Sequence, residues 1–158
     1  ERLKDREYYY YKDFMEKLGQ RANIEFILLG GPNDAAKEFW IPKQTVDLRG
    51  KIKLTTTAEI LRRVDYFIGS CSAPLHIATA VGCPVLAFYG PTSPYKWAPQ
   101  HKCIHLEHSQ SCSPCDRIGY GEPCGGNNIC MQQITVEEAL AAMQMLWERY
   151  PVNRFGEK

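Results

Sequence analysis

The segment from Gly69 to Thr92 constrains the fold of this chain most, because two apolar runs enclose a turn rich in small residues. The first run ends at Gly69, and Pro74 then suits the first turn of a helix. Backbone N–H groups at such a helix start lack partners within the helix and attract anions. In an open parallel sheet this position is the crevice where ligands bind. The segment therefore predicts an anion-binding site.

Strand-like and helix-like segments alternate along most of the sequence. Apolar runs typical of strands cover 24–29, 65–69 and 84–89, and weaker ones cover 45–48 and 103–106. Helical patterns cover 4–22, 33–40, 55–64, 74–81 and 136–150. This alternation predicts an α/β fold, a Rossmann-like doubly wound parallel sheet with helices on both faces.

Two predicted helices carry a capping-box pattern at their start. Thr56 is followed three residues later by Glu59, and Thr135 is followed by Glu138. In a capping box the threonine accepts a backbone N–H while the acidic residue reaches back to the threonine N–H. We expect helices to begin at both places.

Length and charge limit the class of protein. The chain has 158 residues, with 19 basic and 18 acidic residues and a net charge of +1. We expect one domain over 1–158, with a tail at 152–158. The charges are balanced and form no basic cluster of the kind that binds nucleic acid, so a nucleic-acid partner is not expected. Neither a membrane-spanning run nor a secretory leader is present, which predicts a cytoplasmic protein. Because the sequence begins at Glu1, we expect a preceding strand or domain outside it.

Cysteines concentrate in a loop-rich stretch at 107–131, rich in Ser, Pro, Gly and Asn, before the last helix. Its Cys-x-x-Cys pair and two further cysteines have the spacing of a tetrahedral four-thiolate site for zinc or iron: Cys112, Cys115, Cys124 and Cys130. A closed thiolate shell would be structural, since it stabilises a segment without a core of its own. Two disulfides or free thiols are the alternatives.

Several motifs occur in a characteristic order. They are the strand and turn at 26–32, Asp47-Leu48-Arg49-Gly50-Lys51, the helix at 55–64, the Gly69 to Thr92 segment and the closing helix at 134–147. Together they resemble the C-terminal half of the heptosyltransferase family, glycosyltransferase family 9, from about Tyr11 to Trp147. The resemblance implies the GT-B architecture, in which two Rossmann-like domains face each other across a cleft.

What the resemblance implies for function is an inverting glycosyl transfer. This half would hold a nucleoside-diphosphate sugar, with ADP-heptose favoured, and the acceptor would be a lipopolysaccharide core or a related glycan or lipid-linked glycan. No cofactor is needed for the reaction. The proton acceptor belongs to the N-terminal domain, which is absent from this chain, so no catalytic residue is assigned and the chain alone should be inactive. The resemblance places the enzyme in the cytoplasm, free or peripheral at the inner membrane.

The family's central motif runs Asp, Ser or Thr, Gly, two variable residues and His, and here it begins at Cys71. By the resemblance, the donor-binding residues are Cys71, Ser72, Ala73, His76, Gly90 and Thr92. Ser72 is expected to cap the helix, with the diphosphate at its first N–H groups. The nucleoside would lie near 55–57, by position only. Trp97 would lie either at the ligand or over the cysteine-rich stretch.

Cys71 and Ala73 stand where the family has an acidic residue and a glycine. The alternative to a transferase is therefore a non-catalytic Rossmann-like scaffold or regulatory module, organised around a structural four-cysteine metal site. Nucleotide-dependent stabilisation would separate the two.

Overall fold

Strands and helices alternate in the computed structural model, which describes residues 7–21, 23–37, 41–43, 45–108, 110–115 and 127–152. The strands are β1 Phe26–Leu28, β2 Thr45–Asp47, β3 Phe67–Ser70, β4 Val85–Tyr89 and β5 Cys103–Glu107. The helices are α1 Tyr11–Arg21, α2 Pro32–Ala35, α3 Leu54–Leu61, α4 Ala73–Ala80, α5 Pro94–Trp97, α6 Ile129–Gln132 and α7 Val136–Arg149. The predicted α/β class is confirmed.

All strand pairs are parallel, as expected for strands joined by helical crossovers. β1 pairs with β2, and β3, β4 and β5 pair in that order. Within the part of the chain that the structure describes, no ladder joins the two groups, so the predicted single sheet is present as a two-stranded and a three-stranded part.

Strand β4 divides the core into two clusters on opposite sides of the sheet. Leu86 and Phe88 pack with α1 and α7, whereas Val85, Ala87 and Tyr89 pack with α3 and α4. Every residue of β4 is buried, as expected for a central strand covered on both faces. Helices therefore cover both faces of the sheet, which is the doubly wound arrangement that the sequence predicts.

The two predicted capping boxes have different outcomes. At α7, Thr135 Oγ1 accepts from the Glu138 N–H at 3.2 Å, and a Glu138 carboxylate oxygen accepts from the Thr135 N–H at 2.8 Å, so this box is confirmed. At α3 the prediction is wrong, because the helix begins at Leu54 after an N-cap at Lys53. Glu59 instead forms ion pairs with Arg62 and Arg63, which follow the last residue of the helix.

Other boundaries differ because of tertiary packing. Residues 7–10, predicted as helix, precede α1 without helical structure, and Tyr8 stacks on Phe88 with ring centroids 4.1 Å apart. The short helix α5 lies in a stretch predicted as loop, and α6 lies at the end of the cysteine-rich stretch and one residue beyond it. Among the described helices, none has the length and apolar character needed to cross a bilayer.

Candidate functional site

The turn between β3 and α4 forms the start of the candidate site. Ser72 is the N-cap residue of α4, with extended backbone, but its side chain makes no capping hydrogen bond, so the predicted side-chain cap is wrong. Pro74 lies in the first turn and has no N–H, and the His76 N–H reaches the Ser72 carbonyl at 3.4 Å. The Ser72 side chain therefore leaves the first N–H groups of α4 uncapped, and the first turn carries no acidic residue.

Of the residues predicted to bind the donor at this turn, three are exposed and one, Cys71, is buried. Ser72, Ala73 and His76 are exposed, which fits groups that face a ligand. The Cys71 side chain is only 6% exposed and packs in the core with Leu75 and Tyr89. Any ligand contact made by Cys71 would therefore use its backbone.

The loop after β4 lies beside this turn, since β3 and β4 are neighbours in the sheet. Its two predicted site residues, Gly90 and Thr92, are both buried. A Cβ atom on Gly90 would lie 2.6 Å from Met131 Sδ and 2.8 Å from Cys130 Sγ, so α6 packs directly on this glycine. Helix α6 therefore covers Gly90, and neither Gly90 nor Thr92 is exposed in this structure.

Helix α5 brings Trp97 to the exposed side of α4. The ring centroids of Trp97 and His76 are 6.3 Å apart, with the planes tilted by 59°. The Lys96 ammonium lies 5.1 Å from the centre of the same indole. Of the two positions left open for Trp97, the structure supports the one beside the donor motif, and the signal available in the sequence was the Ser93-Pro94 helix start.

A buried tyrosine fixes this helix from below. Tyr89 is fully buried at the end of β4, and its hydroxyl donates to the Trp97 carbonyl at 3.0 Å. Burial raises the pKa of Tyr89, and the nearby thiols of Cys71 and Cys103 raise it further. The hydroxyl therefore stays protonated and able to donate.

The threonines assigned by position to the nucleoside lie at the start of α3. Thr55 and Thr56 are exposed, and Thr57 is buried, with its hydroxyl donating to the Lys53 carbonyl at 3.3 Å. Helices α3 and α4 pack against each other, since Leu61 and Leu75 share one cluster. The exposed threonines therefore lie on the helix next to the donor motif.

The cysteine-rich stretch contacts the loop after β4 from two directions. The Cys115 N–H donates to the Pro91 carbonyl at 2.9 Å, and Cys130 contacts Gly90. Within the described ranges, no three histidine, cysteine or acidic side chains are arranged to hold a metal ion. Cys124, the fourth predicted ligand, lies outside those ranges, so the four-thiolate site stays a prediction.

Comparison with known proteins agrees with this geometry. The family model for glycosyltransferase family 9 (heptosyltransferase) matches residues 3–124. A lipopolysaccharide core heptosyltransferase, OpsX of Haemophilus influenzae, is 27% identical over 63% of this chain and 30% of its own length. Lipopolysaccharide heptosyltransferase 3 of Escherichia coli is 32% identical over 48% of this chain and 24% of its own length. The chain thus spans less than a third of either relative.

Solved structures share the fold. ADP-heptose lipopolysaccharide heptosyltransferase II of E. coli superposes with a TM-score of 0.71 at 19% identity, over 92% of this chain and 42% of that one. The dodecameric iron-containing heptosyltransferase TibC, solved with ADP-D-β-D-heptose, superposes with a TM-score of 0.66 at 19% identity, over 89% of this chain and 41% of that one. Because the family model covers most of the sequence, the chain belongs to glycosyltransferase family 9.

Proposed function

We propose that this chain is the nucleotide-sugar-binding half of an inverting glycosyltransferase. The donor would be a nucleoside-diphosphate sugar of the ADP-heptose type, and the acceptor a lipopolysaccharide core or a related glycan. The observation that carries the proposal is the start of α4, where the Ser72 side chain makes no capping hydrogen bond and His76 stands exposed one turn further on. Heptosyltransferase relatives and the TibC complex with ADP-heptose support the donor class.

Helix α4 would act on the leaving group. As the bond between sugar and diphosphate breaks, negative charge grows on the diphosphate, and preorganised backbone N–H groups lower the energy of that state. The α4 dipole adds a partial positive charge at the same place. His76 would donate a hydrogen bond to a phosphate oxygen, and the loop at 90–92 would form the adjoining wall. The attacking hydroxyl and its base would come from the N-terminal domain.

We also propose that Cys112, Cys115, Cys124 and Cys130 hold a structural zinc or iron ion. Of the three described members of this set, Cys112, Cys115 and Cys130, the last two contact neighbouring residues of one loop, Pro91 and Gly90. Thiolates are the ligands that both ions accept in tetrahedral sites. The ion would stabilise the cysteine-rich stretch when bound, and these residues would take no part in the transfer itself.

Nucleotide titration of the intact protein tests the donor proposal. ADP, UDP, GDP and CMP would be compared by calorimetry and thermal unfolding, and ADP should raise the unfolding midpoint selectively. A nucleotide at 100 times its Kd adds about 2.7 kcal/mol to stability. In a protein of this size or larger, each kcal/mol moves the midpoint by about 2–4 °C or less.

Two histidine variants make the titration specific to the site. His76→Ala should weaken ADP binding about tenfold, the order expected on losing one hydrogen bond to a charged group. His101→Ala is the matched control, because His101 is also exposed but precedes β5 at the opposite end of the sheet. Equal affinity in the two variants would contradict the role of His76.

The same titration decides between the transferase and the scaffold. The buried thiol of Cys71, where the family has an acidic residue, is the observation that favours a scaffold. A folded intact protein that binds none of the four nucleotides would support that second function.

Metal analysis of the purified protein and of its Cys112→Ser variant tests the proposed metal site. We expect one zinc or iron ion per chain, lost in the variant, whereas disulfides without metal would refute the site.

A further inference from the structure

Trp97 is both exposed and firmly positioned. The residue is 42% exposed. Both backbone polar groups of Trp97 are hydrogen-bonded. Its carbonyl accepts from the Tyr89 hydroxyl, and its N–H donates to the Ser93 carbonyl at 3.1 Å. A rigid, exposed indole beside a polar crevice is a common form of ligand contact.

The contacts made by α4 indicate which part of a ligand the indole would meet. Helix α3 packs on α4 through Leu61 and Leu75, and Trp97 of α5 meets His76 of α4. With the diphosphate at the start of α4 and the nucleoside at the exposed threonines of α3, as the family resemblance implies, the part of the donor left for Trp97 is the sugar.

We propose that Trp97 forms the sugar-facing wall of the donor site and determines which nucleotide sugars bind. This inference rests on the proposed function and adds the residue that recognises the transferred sugar. The indole would pack against the apolar C–H face of the sugar ring, while its ring N–H can donate to a sugar hydroxyl. His76, in contact with the indole, would hold the neighbouring phosphate, so one ring pair would span the bond that breaks.

The charge around the indole fits a ligand whose phosphates lie next to its sugar. The Lys96 ammonium group lies 5.1 Å from the indole centre, and the exposed imidazole of His76 contacts the same indole. A cation near an aromatic surface favours the approach of an anionic ligand. Phosphate would be held by these polar groups and the helix start, which leaves the indole for the uncharged part.

The test compares two ligands that differ only in the sugar. Affinities of ADP and ADP-heptose for the intact protein would be measured by calorimetry for wild type, Trp97→Ala, Trp97→Phe and Tyr95→Ala. Trp97→Ala should weaken ADP-heptose about tenfold, the order seen on truncating a contact tryptophan, and change ADP less than twofold. Trp97→Phe should recover part of the loss. Tyr95 is the matched control, an aromatic residue of the same helix that is 88% exposed.

The possible results separate this inference from the proposed function. If wild type binds neither ligand, the proposed function fails and the role of Trp97 with it. If ADP binds but Trp97→Ala weakens both ligands equally or neither, only the role of Trp97 is overturned. Tryptophan fluorescence gives a second readout: the change induced by ADP-heptose beyond that induced by ADP should vanish in Trp97→Phe, and its persistence would refute the contact.

Discussion

Replacing Gly90 by alanine should destabilise the protein by forcing a methyl group into α6. The new Cβ would lie 2.6 Å from Met131 Sδ and 2.8 Å from Cys130 Sγ, closer than side chains pack. Neither side chain can swing into solvent, because Met131 is fully buried and Cys130 is 5% exposed. Overpacking of this kind costs about 1–3 kcal/mol. For a chain of this length that corresponds to a midpoint lower by about 2–12 °C.

Denaturant unfolding of three variants isolates the clash. Gly31→Ala is the matched control, because its Cβ would meet only Asp34 Oδ2 at 3.8 Å and its φ of −82° suits any residue. Gly90→Ala combined with Met131→Ala should cost less than the sum of the single changes, as expected when one change removes the atoms with which the other collides. A midpoint for Gly90→Ala equal to that of Gly31→Ala would refute the packing of α6 on this glycine.

Two further predictions concern parts of the fold away from the donor turn. Hydrogen bonds from Arg49 lower the pKa of Asp47 to about 2; stability from this pair is present above the ordinary value of 3.8 and lost as pH falls through 2. In Asp47→Asn, the unfolding free energy should therefore fall less steeply as the pH is lowered through this range. An acid dependence equal to that of wild type would contradict the role of the pair. Thr135→Ala should cost about 0.5–2 kcal/mol by thermal unfolding, since it removes the α7 cap; Glu138→Gln, which keeps an acceptor, should cost less.

Local signals in the sequence predicted the order of the main elements but not all their ends. Thr135 and Glu138 form the predicted box, in which the Thr135 hydroxyl also donates to Glu138 Oε2 at 2.9 Å, while His108 contacts the other carboxylate oxygen, Oε1, at 3.0 Å. The same pattern at Thr56 failed because α3 begins at Leu54, which places Thr56 inside the first turn, and Glu59 pairs with Arg62 and Arg63 instead. A capping pattern therefore predicts a cap only where the helix begins at its threonine.

The sequence predicts those features of the site that follow from the order of strands, turns and helices along the chain. The turn between β3 and α4, with exposed His76, follows from the strand–turn–helix pattern. The contact between His76 and Trp97 does not, because it depends on a bond from Tyr89 to a carbonyl eight residues away. Helix α5 has four residues, too few for a periodic pattern to reveal. Ser93-Pro94 marks only the start of this helix, and the tertiary contact itself leaves no mark in the local sequence.

The register of β4 has a consequence for how this family member can change. Side chains alternate between two clusters along the strand, so Phe88 faces one and Tyr89 the other. Inserting or deleting a single residue before Tyr89 would turn each following side chain to the opposite face. The tyrosine hydroxyl would then leave the Trp97 carbonyl, and α5 would lose its anchor. Changes in the length of the chain should therefore be excluded from β4.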